Sequence, residues 1–266
     1  MHNNNYKTTS IDTNECTSRG ACSIAPNISA LQELIMYFLK QLAYYILKLE
    51  NMGANNKSIK YEIINDIAAL VSINEFNEEQ LYSIITKDYF LLEDTKKTYK
   101  KHCKKENIEC LELKNHIDFD NSTTLPKAIS LGEKLFLEQY NRLTTEQKNH
   151  IEILLIVIKS VSLNILKLND FDEFDEDMYH QVLQTLDLLN ERFQLRKINK
   201  QIVKLAEADN KLQLKIGQML LEKFGGIENV KVSHSTEKGK AILVSGSNFM
   251  DLLNILEETK DKNIDI

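Results

Sequence analysis

Cys16 and Cys22 are the residues whose type and spacing most suggest chemistry. Five residues separate these cysteines, and an apolar stretch with helical periodicity follows them at once. Cysteine thiolates hold iron–sulfur clusters, usually four to a cluster, so this pair supplies half of such a site. Two other interpretations stay open: ordinary reduced thiols beside a helix, or a redox sensor activated by the N-terminus of that helix.

Cys103 and Cys110 are candidates for the other half of a four-cysteine site. Cys103, however, stands in the lysine-rich stretch KKTYKKHCKKEN, which predicts a solvated helix rather than a cluster site. The first 15 residues are polar and do not resemble a secretion signal, so a reducing, cytoplasmic location is expected. In that compartment all four cysteines are expected to be free or metal-bound rather than paired in disulfides.

Charge patterns elsewhere predict structure rather than binding sites. Six lysines between positions 96 and 105 form a basic face, which we interpret as the solvated surface of a helix because the chain as a whole is acidic. The acidic run Asp170 to Asp177 lacks the glycine of a calcium loop and is predicted to end one helix and begin the next. The six histidines are scattered and predict no zinc site.

The composition is typical of a soluble, helix-rich globular protein, with 42% apolar and 27% charged residues and only 2 prolines among 266 residues. A net charge of −6 does not favour a nucleic-acid-binding protein. The longest apolar run, Ile153 to Leu166, is interrupted by Lys159 and Asn164 and is shorter than the roughly 20 residues that cross a bilayer. We therefore expect neither a nucleic acid nor a membrane as partner.

Apolar residues recur at helical spacing through most of the chain. Asn27 or Ser29 is predicted to cap the first helix, and the spacing of Ser29 and Gln32 is that of a capping box. Further helices are predicted over 59–70, 78–87 and 88–105, followed by a connection over 107–124. A new helix is predicted to start near Leu125, and helices are expected to continue to about Phe224.

The helical pattern returns at an offset of 119 residues. The word ILKL occurs at Ile46–Leu49 and again at Ile165–Leu168, and the apolar phase is retained around it. The predicted fold class is therefore mainly α, with two tandem three-helix bundles and a C-terminal α/β segment. The expected divisions are a cysteine-containing loop over 1–27, the first bundle and its connection over 28–124, the second bundle over 125–226 and the α/β segment over 227–266.

The last 40 residues differ in character from the rest. Ala241 to Val244 form an apolar run between two glycines, which predicts a buried strand. The following SGSN sequence fits either an anion-binding helix N-terminus or a plain turn, and Asp251 to Thr259 predict an amphipathic helix. Strand, turn and helix make the first unit of a parallel α/β domain, and the sequence is expected to stop before a second strand is complete.

The two ends of the chain carry a family resemblance. The stretch ECTSRGACSIAPNISALQELIMYFLKQLAYY resembles the beginning of the hybrid cluster proteins, also called prismane proteins or hydroxylamine reductases, which are related to nickel carbon monoxide dehydrogenases. In that family a C-x2-C-x7/8-C-x5-C motif binds a cubane cluster, and Cys16 and Cys22 match its final pair. Lys240 to Leu252 read KAILVSGSNFMDL, similar to the KAILVSGHDLKDL that opens the family's Rossmann-like domain. The resemblance implies two tandem three-helix bundles and the start of an incomplete Rossmann-like domain, about the first half of a family member.

Departures from the family pattern limit what the resemblance implies. The family's first two cysteines would fall near Asn4 and Lys7, and Ser247 stands where the family has a histidine ligand of the hybrid cluster. The remaining ligands of that cluster belong to domains outside this sequence. The resemblance therefore implies no hybrid cluster, but a 4Fe-4S cluster on Cys16 and Cys22 if a second chain shares its ligation.

Two main functional hypotheses follow from the sequence. The first is a shortened, degenerate member of this iron–sulfur redox lineage, whose full members reduce hydroxylamine or nitrogen oxides. It would have no catalytic residues of its own and would act as a homodimer or with a partner subunit that supplies the missing domains. The second is a cluster-free helical scaffold that binds a partner through the exposed edge of the α/β unit. A truncated gene product without a selected function is a third alternative.

Overall fold

The protein is mainly α-helical in a computed structural model that describes residues 25–54, 56–71, 77–114, 116–226, 229, 231, 238–246 and 249–266. These residues form eight helices and two short strands, which confirms the predicted mainly α fold class. The elements are α1 (Pro26–Asn51), α2 (Lys57–Ala69), α3 (Glu78–Glu106), α4 (Leu125–Tyr140), α5 (Thr145–Asn169), α6 (Glu176–Leu188), α7 (Leu195–Phe224), β1 (Lys240–Ala241), α8 (Phe249–Thr259) and β2 (Ile264–Asp265).

The first helix starts earlier than predicted. α1 begins at Pro26, and proline suits the first helical position because its missing N–H would have no partner there. Ser29 already donates its amide to the Ala25 carbonyl at 3.0 Å, so the predicted capping box at Ser29 is wrong. Capping boxes occur instead at the starts of α3 and α5, where Asn77 pairs with Gln80 and Thr144 with Gln147.

α3 is one continuous helix of 29 residues where two helices were predicted. The predicted break at Asp88 is wrong because this charged residue is buried on the inner face of the helix, in line with Leu92 and Tyr99. The helix ends at Asn107, whose left-handed φ of 52° is a common way to stop a helix. The irregular connection predicted over 107–124 is confirmed.

Two sets of three helices, α1–α3 and α5–α7, pack against each other. The first helix of each set contacts the second helix of the other set. α1 packs on α3 of its own set and on α6 of the other set, while α5 packs on α7 and on α2. α2 and α6 also meet each other. Exchanging the two sets reproduces the same pairs, so the sets are related by an approximate two-fold symmetry, and α4 is an additional helix packed on α1.

The internal repeat is visible at the level of single buried positions. The bounds of α2 and α6 differ by 119 residues, the offset found in the sequence. Ile63 and Ile64 are fully buried in α2, and their counterparts Val182 and Leu183 are fully buried in α6. The repeat therefore preserves which face of the second helix is buried, although the side chains differ.

α1 is the central helix of the molecule. It contacts α2, α3, α4 and α6 and is buried on nearly all sides, as expected of a helix with few charges in its middle. Phe38 on α1 packs edge-on against Phe119 of the connection after α3, with ring centroids 5.3 Å apart. This contact and its neighbours join all the long helices into one hydrophobic core.

The C-terminal segment forms a small parallel unit in which α8 connects β1 to β2. Lys240 pairs with Ile264 and Ala241 with Asp265. The strand predicted over Ala241 to Val244 is therefore shorter than expected, and the prediction that it is buried is wrong, since Leu243 is 98% exposed. The predicted helix is found two residues earlier, at Phe249. None of the helices in the described part of the chain is both long and apolar enough to cross a membrane.

Candidate functional site

The predicted cluster ligands, Cys16 and Cys22, lie outside the described residues, but the place where their segment joins the fold is described. α1 begins four residues after Cys22, at Pro26. The side-chain amide of Asn27 donates a hydrogen bond of 2.9 Å to the Glu78 carboxylate at the start of α3, so the N-termini of α1 and α3 lie together. Helix N-termini carry partial positive charge, which favours nearby thiolates.

The other two cysteines, Cys103 and Cys110, are joined in a disulfide with Cα atoms 5.7 Å apart. The expectation that all four cysteines are free or metal-bound is therefore wrong for this pair. Cys103 is buried, because the lysines of this stretch occupy the outer face of α3 while Tyr99 and Cys103 point inward. On the outer face Lys100 pairs with Glu112 at 2.9 Å. A disulfide sulfur is not a thiolate ligand, so these residues do not complete a four-cysteine site.

The described residues contain no group of three or more histidine, cysteine, aspartate or glutamate side chains that could hold a metal ion. The donor set for an iron–sulfur cluster is thus not present within the described helices. The chain has four cysteines, and the two outside the disulfide are Cys16 and Cys22. These two thiols fit half of a cluster that is usually held by four.

The acidic run Asp170 to Asp177 begins a helix, as predicted. Asp175 caps α6 by accepting a hydrogen bond of 3.2 Å from the Met178 amide, and Glu176 and Asp177 lie in the first turn. Negative charge at a helix N-terminus is stabilising, so the run has a structural role.

Two glutamate–lysine pairs, one on α1 and one on α5, are related by the 119-residue repeat. The charges of the two pairs interact electrostatically. Glu33 and Lys40 belong to α1, and Glu152 and Lys159 are their counterparts on α5. Burial raises the pKa of Glu33, which the nearby Lys40 opposes, and burial lowers the pKa of Lys40 and of Lys159. The cluster has balanced charge, which suits a structural contact between the repeats.

A second charged cluster joins α1, α2 and α6. Lys60, buried on α2, forms ion pairs with Glu50 at the end of α1 and with Glu176 at the start of α6. The His180 Nδ1 atom lies 3.0 Å from the other oxygen of Glu50. Burial lowers the pKa of Lys60, but hydrogen bonds to Glu176 and Glu50 outweigh burial and raise it above its ordinary value. A charged, paired ammonium group is not a nucleophile, so this cluster connects the two repeats.

Two buried acids, Asp66 on α2 and Asp88 on α3, form the third cluster. The Lys87 ammonium group donates to the Asp66 Oδ1 atom at 2.8 Å and to Glu62 at 2.9 Å. Neither carboxylate oxygen of Asp88 has a donor among the described residues, but the protonated form of Asp88 shares a hydrogen bond with Asp66. Burial raises the pKa of Asp88 well above its usual range, and the negative charge of Asp66 adds to this. Asp88 is therefore a buried acid that folding favours in its protonated form.

Sequence analysis missed all three clusters. Several of their members stand among apolar residues, as Asp66 does between Ile64 and Ile67, while Glu176 stands in the acidic run. A charged side chain at a position that periodicity predicts to be buried was the available signal, since such a residue needs a partner in the folded protein.

Comparison with known proteins gives one family over nearly the whole chain. The model of the Prismane/CO dehydrogenase family matches residues 10–266. The hydroxylamine reductase of Petrotoga mobilis is 24% identical over 259 residues, which cover 94% of this chain and 47% of that protein. The hydroxylamine reductase of Zymomonas mobilis is 25% identical over 255 residues (94% and 45%), and that of Gloeothece citriformis is 25% identical over 277 residues (95% and 46%). The chain spans about half the length of these curated relatives.

Proposed function

Since this chain belongs to the Prismane/CO dehydrogenase family, we propose that it is the helical part of an iron–sulfur redox system of the hydroxylamine reductase type. The observation that carries the proposal is the family match over residues 10–266, which includes Cys16, Cys22 and the whole helical array. Reduction of hydroxylamine is proposed for an assembly that also contains the portion of the relatives not matched here. The helices of this chain serve as its scaffold.

The proposed role of Cys16 and Cys22 is to hold a 4Fe-4S cluster together with ligands from a second copy of the chain or from a partner subunit. Two thiolates per chain are half of the usual ligand set, so two copies would supply a full set. The segment joins the fold where the N-termini of α1 and α3 lie together, with the Glu78 carboxylate in the first turn of α3 at that point. Such a cluster would supply one-electron transfer.

Cysteine substitution tests this proposal with a control built into the chain. We expect Cys16→Ser and Cys22→Ser each to abolish the iron content and visible absorption of protein purified and reconstituted without oxygen. The double variant Cys103→Ser/Cys110→Ser removes the two cysteines of the disulfide and should keep the cluster. Unchanged iron in Cys16→Ser and Cys22→Ser would contradict the proposed ligands.

A second candidate function, a cluster-free scaffold that binds a partner, is favoured by the exposed apolar side chains next to β1. Leu243 is almost fully exposed, and Ile242 and Val244 are also exposed. Contiguous exposed apolar residues often mark a protein interface. A colourless protein after anaerobic reconstitution would favour this second candidate over the first.

A further inference from the structure

A cleft of about 780 Å³ opens where distant parts of the helical array meet. Its floor is α1, and its walls are α4, the start of α5 and the connections α3–α4, α4–α5 and α6–α7. The volume falls in the range of roughly 300–1,000 Å³ that is usual for small-molecule sites.

The lining of the cleft is unusually cationic for an acidic chain. Arg142 and Arg192 stand at its mouth, and Lys40 and Lys114 also line it. Within the described part of the chain, Arg142, Arg192 and Lys114 form no ion pair with a carboxylate. These three charges are therefore available to a ligand.

The two carboxylates of the lining are engaged with lysines that are not part of it. Glu191 pairs with Lys197 at 2.8 Å, and Glu138 lies 3.8 Å from Lys134. The four cations of the lining outnumber these two carboxylates, so the lining keeps a net positive charge.

The use of arginine at this place is selective. The chain has 33 basic residues, of which 4 are arginines, and two of the three arginines in the described residues line the cleft. Arginine differs from lysine in presenting a planar fork that binds carboxylate or phosphate groups through two parallel hydrogen bonds. Two such forks at one opening suit a ligand with more than one oxyanion group.

Gln41 adds a neutral polar group to the cleft. Its side chain lines the cleft although the residue is only 3% exposed. Its amide forms no hydrogen bond with another described residue and does not belong to the buried groups that lack a partner, so its polar atoms are accessible from the cleft. The amide is therefore available to a ligand.

The cleft is held in place by a specific contact. The Asn190 side chain donates a hydrogen bond of 2.8 Å to the Lys40 carbonyl oxygen. This bond ties the α6–α7 connection, which carries Arg192, to the floor of the cleft. The arginine thus stands on an anchored segment rather than on a free loop.

We propose that this cleft binds a small organic dianion whose carboxylate or phosphate groups are held by Arg142 and Arg192. Gln41 contributes a hydrogen bond at the floor, while Leu135, Ile151 and Phe193 contact the carbon body of the ligand. The residues that carry this proposal all belong to the described part of the chain, so its test does not depend on the roles proposed for Cys16 and Cys22.

Isothermal titration calorimetry of the full chain tests this site with two probes, the dicarboxylate 2-oxoglutarate and the phosphate ester glycerol 3-phosphate. We expect saturable binding of at least one probe, which also identifies the preferred group, and weaker binding as salt is raised. Arg142→Gln and Arg192→Gln should each weaken binding by about tenfold or more, because each removes a charge-assisted hydrogen-bonding fork.

Arg196→Gln is the matched control, since Arg196 is exposed on α7 and does not line the cleft; its affinity should equal that of the parent protein. In the parent protein the Gln41 side-chain amide signals should shift on titration, a readout that needs no variant. The proposal is overturned if neither dianion binds, if acetate binds as tightly as the dianions, or if both cleft arginine variants bind as the parent does.

Discussion

Asp88 is a buried acid whose surroundings disfavour its charged form, so its titration affects the stability of the fold. It is fully buried on α3, where its carboxylate has no hydrogen-bond donor in the described part of the chain and only its protonated form bonds to Asp66. Burial raises its pKa, and the charge of Asp66 adds to this. Because the folded-state pKa lies above the unfolded value, the folded protein binds a proton that the unfolded chain releases more readily. The stability contributed by this group is complete below the unfolded pKa and is lost as pH rises through the folded pKa.

We expect Asp88→Asn to be more stable than the parent protein at pH values above the folded pKa of Asp88, on the order of 1 kcal/mol or more, because it removes a buried charge without a partner. The gain should shrink as pH falls through the folded pKa of Asp88 and level off only below about 4, the unfolded pKa, where the side chain is mostly protonated in both states. Urea unfolding at a series of pH values measures this difference. Asp94→Asn is the control on the exposed face of the same helix and should show little of this pH dependence. Equal pH profiles for Asp88→Asn and the parent would contradict the account of this acid.

The contact between α1 and α4 depends on one glycine. A Cβ atom added at Gly132 would collide with the carbonyl oxygen of Ala30, a backbone atom that cannot move aside cheaply. The two helices therefore approach at a distance that a larger residue does not permit. This contact places α4 over the central helix and forms one side of the cleft described above.

Gly132→Ala should destabilise the protein by about 1–3 kcal/mol or more, the usual cost of overpacking, and lower the melting temperature. Gly217→Ala on α7 is the matched control, because nothing lies near its added Cβ. Alanine is the better helix former by about 0.5–1 kcal/mol, so this second variant should be slightly more stable than the parent. Thermal unfolding followed by circular dichroism distinguishes the two. A Gly132→Ala protein as stable as Gly217→Ala would show that α4 does not pack closely on α1.

α4 also explains where the approximate symmetry fails. Leu34 on α1 is fully buried, while Ile153, its counterpart on α5, is 47% exposed. α4 packs on α1, and no described helix occupies the equivalent position on α5. The apolar phase of the repeat thus predicts a buried position at Ile153 that the structure leaves open, since periodicity is a property of the helix and burial depends on what packs against it.

On the scale of the whole molecule, the exchanged contacts predict cooperative unfolding. α1 and α5 each pack on the second helix of the other set, and the Lys60 cluster connects both sets. Loss of either set would expose apolar surface of the other. We therefore expect one thermal transition for the helical array, with equal calorimetric and van't Hoff enthalpies, measured by differential scanning calorimetry.

Lys60→Met tests the same coupling. It should lower the transition temperature, because Glu50 and Glu176 lose their buried partner, but should keep a single transition. Lys101→Met, an exposed position on α3, should leave the temperature nearly unchanged. Two separate transitions in the parent protein would contradict the interlocked packing.

The sequence could predict the helices and their repeat but not their partners. Ile63 and Ile64 lie on an apolar stripe whose spacing predicts a buried face, and the offset of 119 residues relates them to Val182 and Leu183. Spacing does not say which helix covers that face, so the exchange of α2 and α6 between the sets was not predictable. The lysine-rich stretch around Cys103 predicts a solvated helix, but a count of lysines does not show that one face of this helix, with Cys103 on it, is buried.

The candidate sites were predictable to different degrees. Cys16 and Cys22 are close in sequence and match a motif, whereas Gln41, Arg142 and Arg192 are separated by 101 and 50 residues and meet only through the fold. No local pattern connects residues so far apart. The spacing of Cys103 and Cys110 permits a disulfide, but the reducing compartment expected from the sequence predicts free cysteines instead.

The most direct test of the redox account is the amount of iron and acid-labile sulfide per chain, together with native mass, for the parent protein purified and reconstituted without oxygen. A 4Fe-4S cluster shared between two copies predicts about two irons and two sulfides per chain in a dimer, and a cluster completed by a partner subunit predicts about four per complex. Protein that stays free of iron and sulfide after reconstitution, alone and with any co-purifying subunit, would contradict the account and leave the helical array as a scaffold.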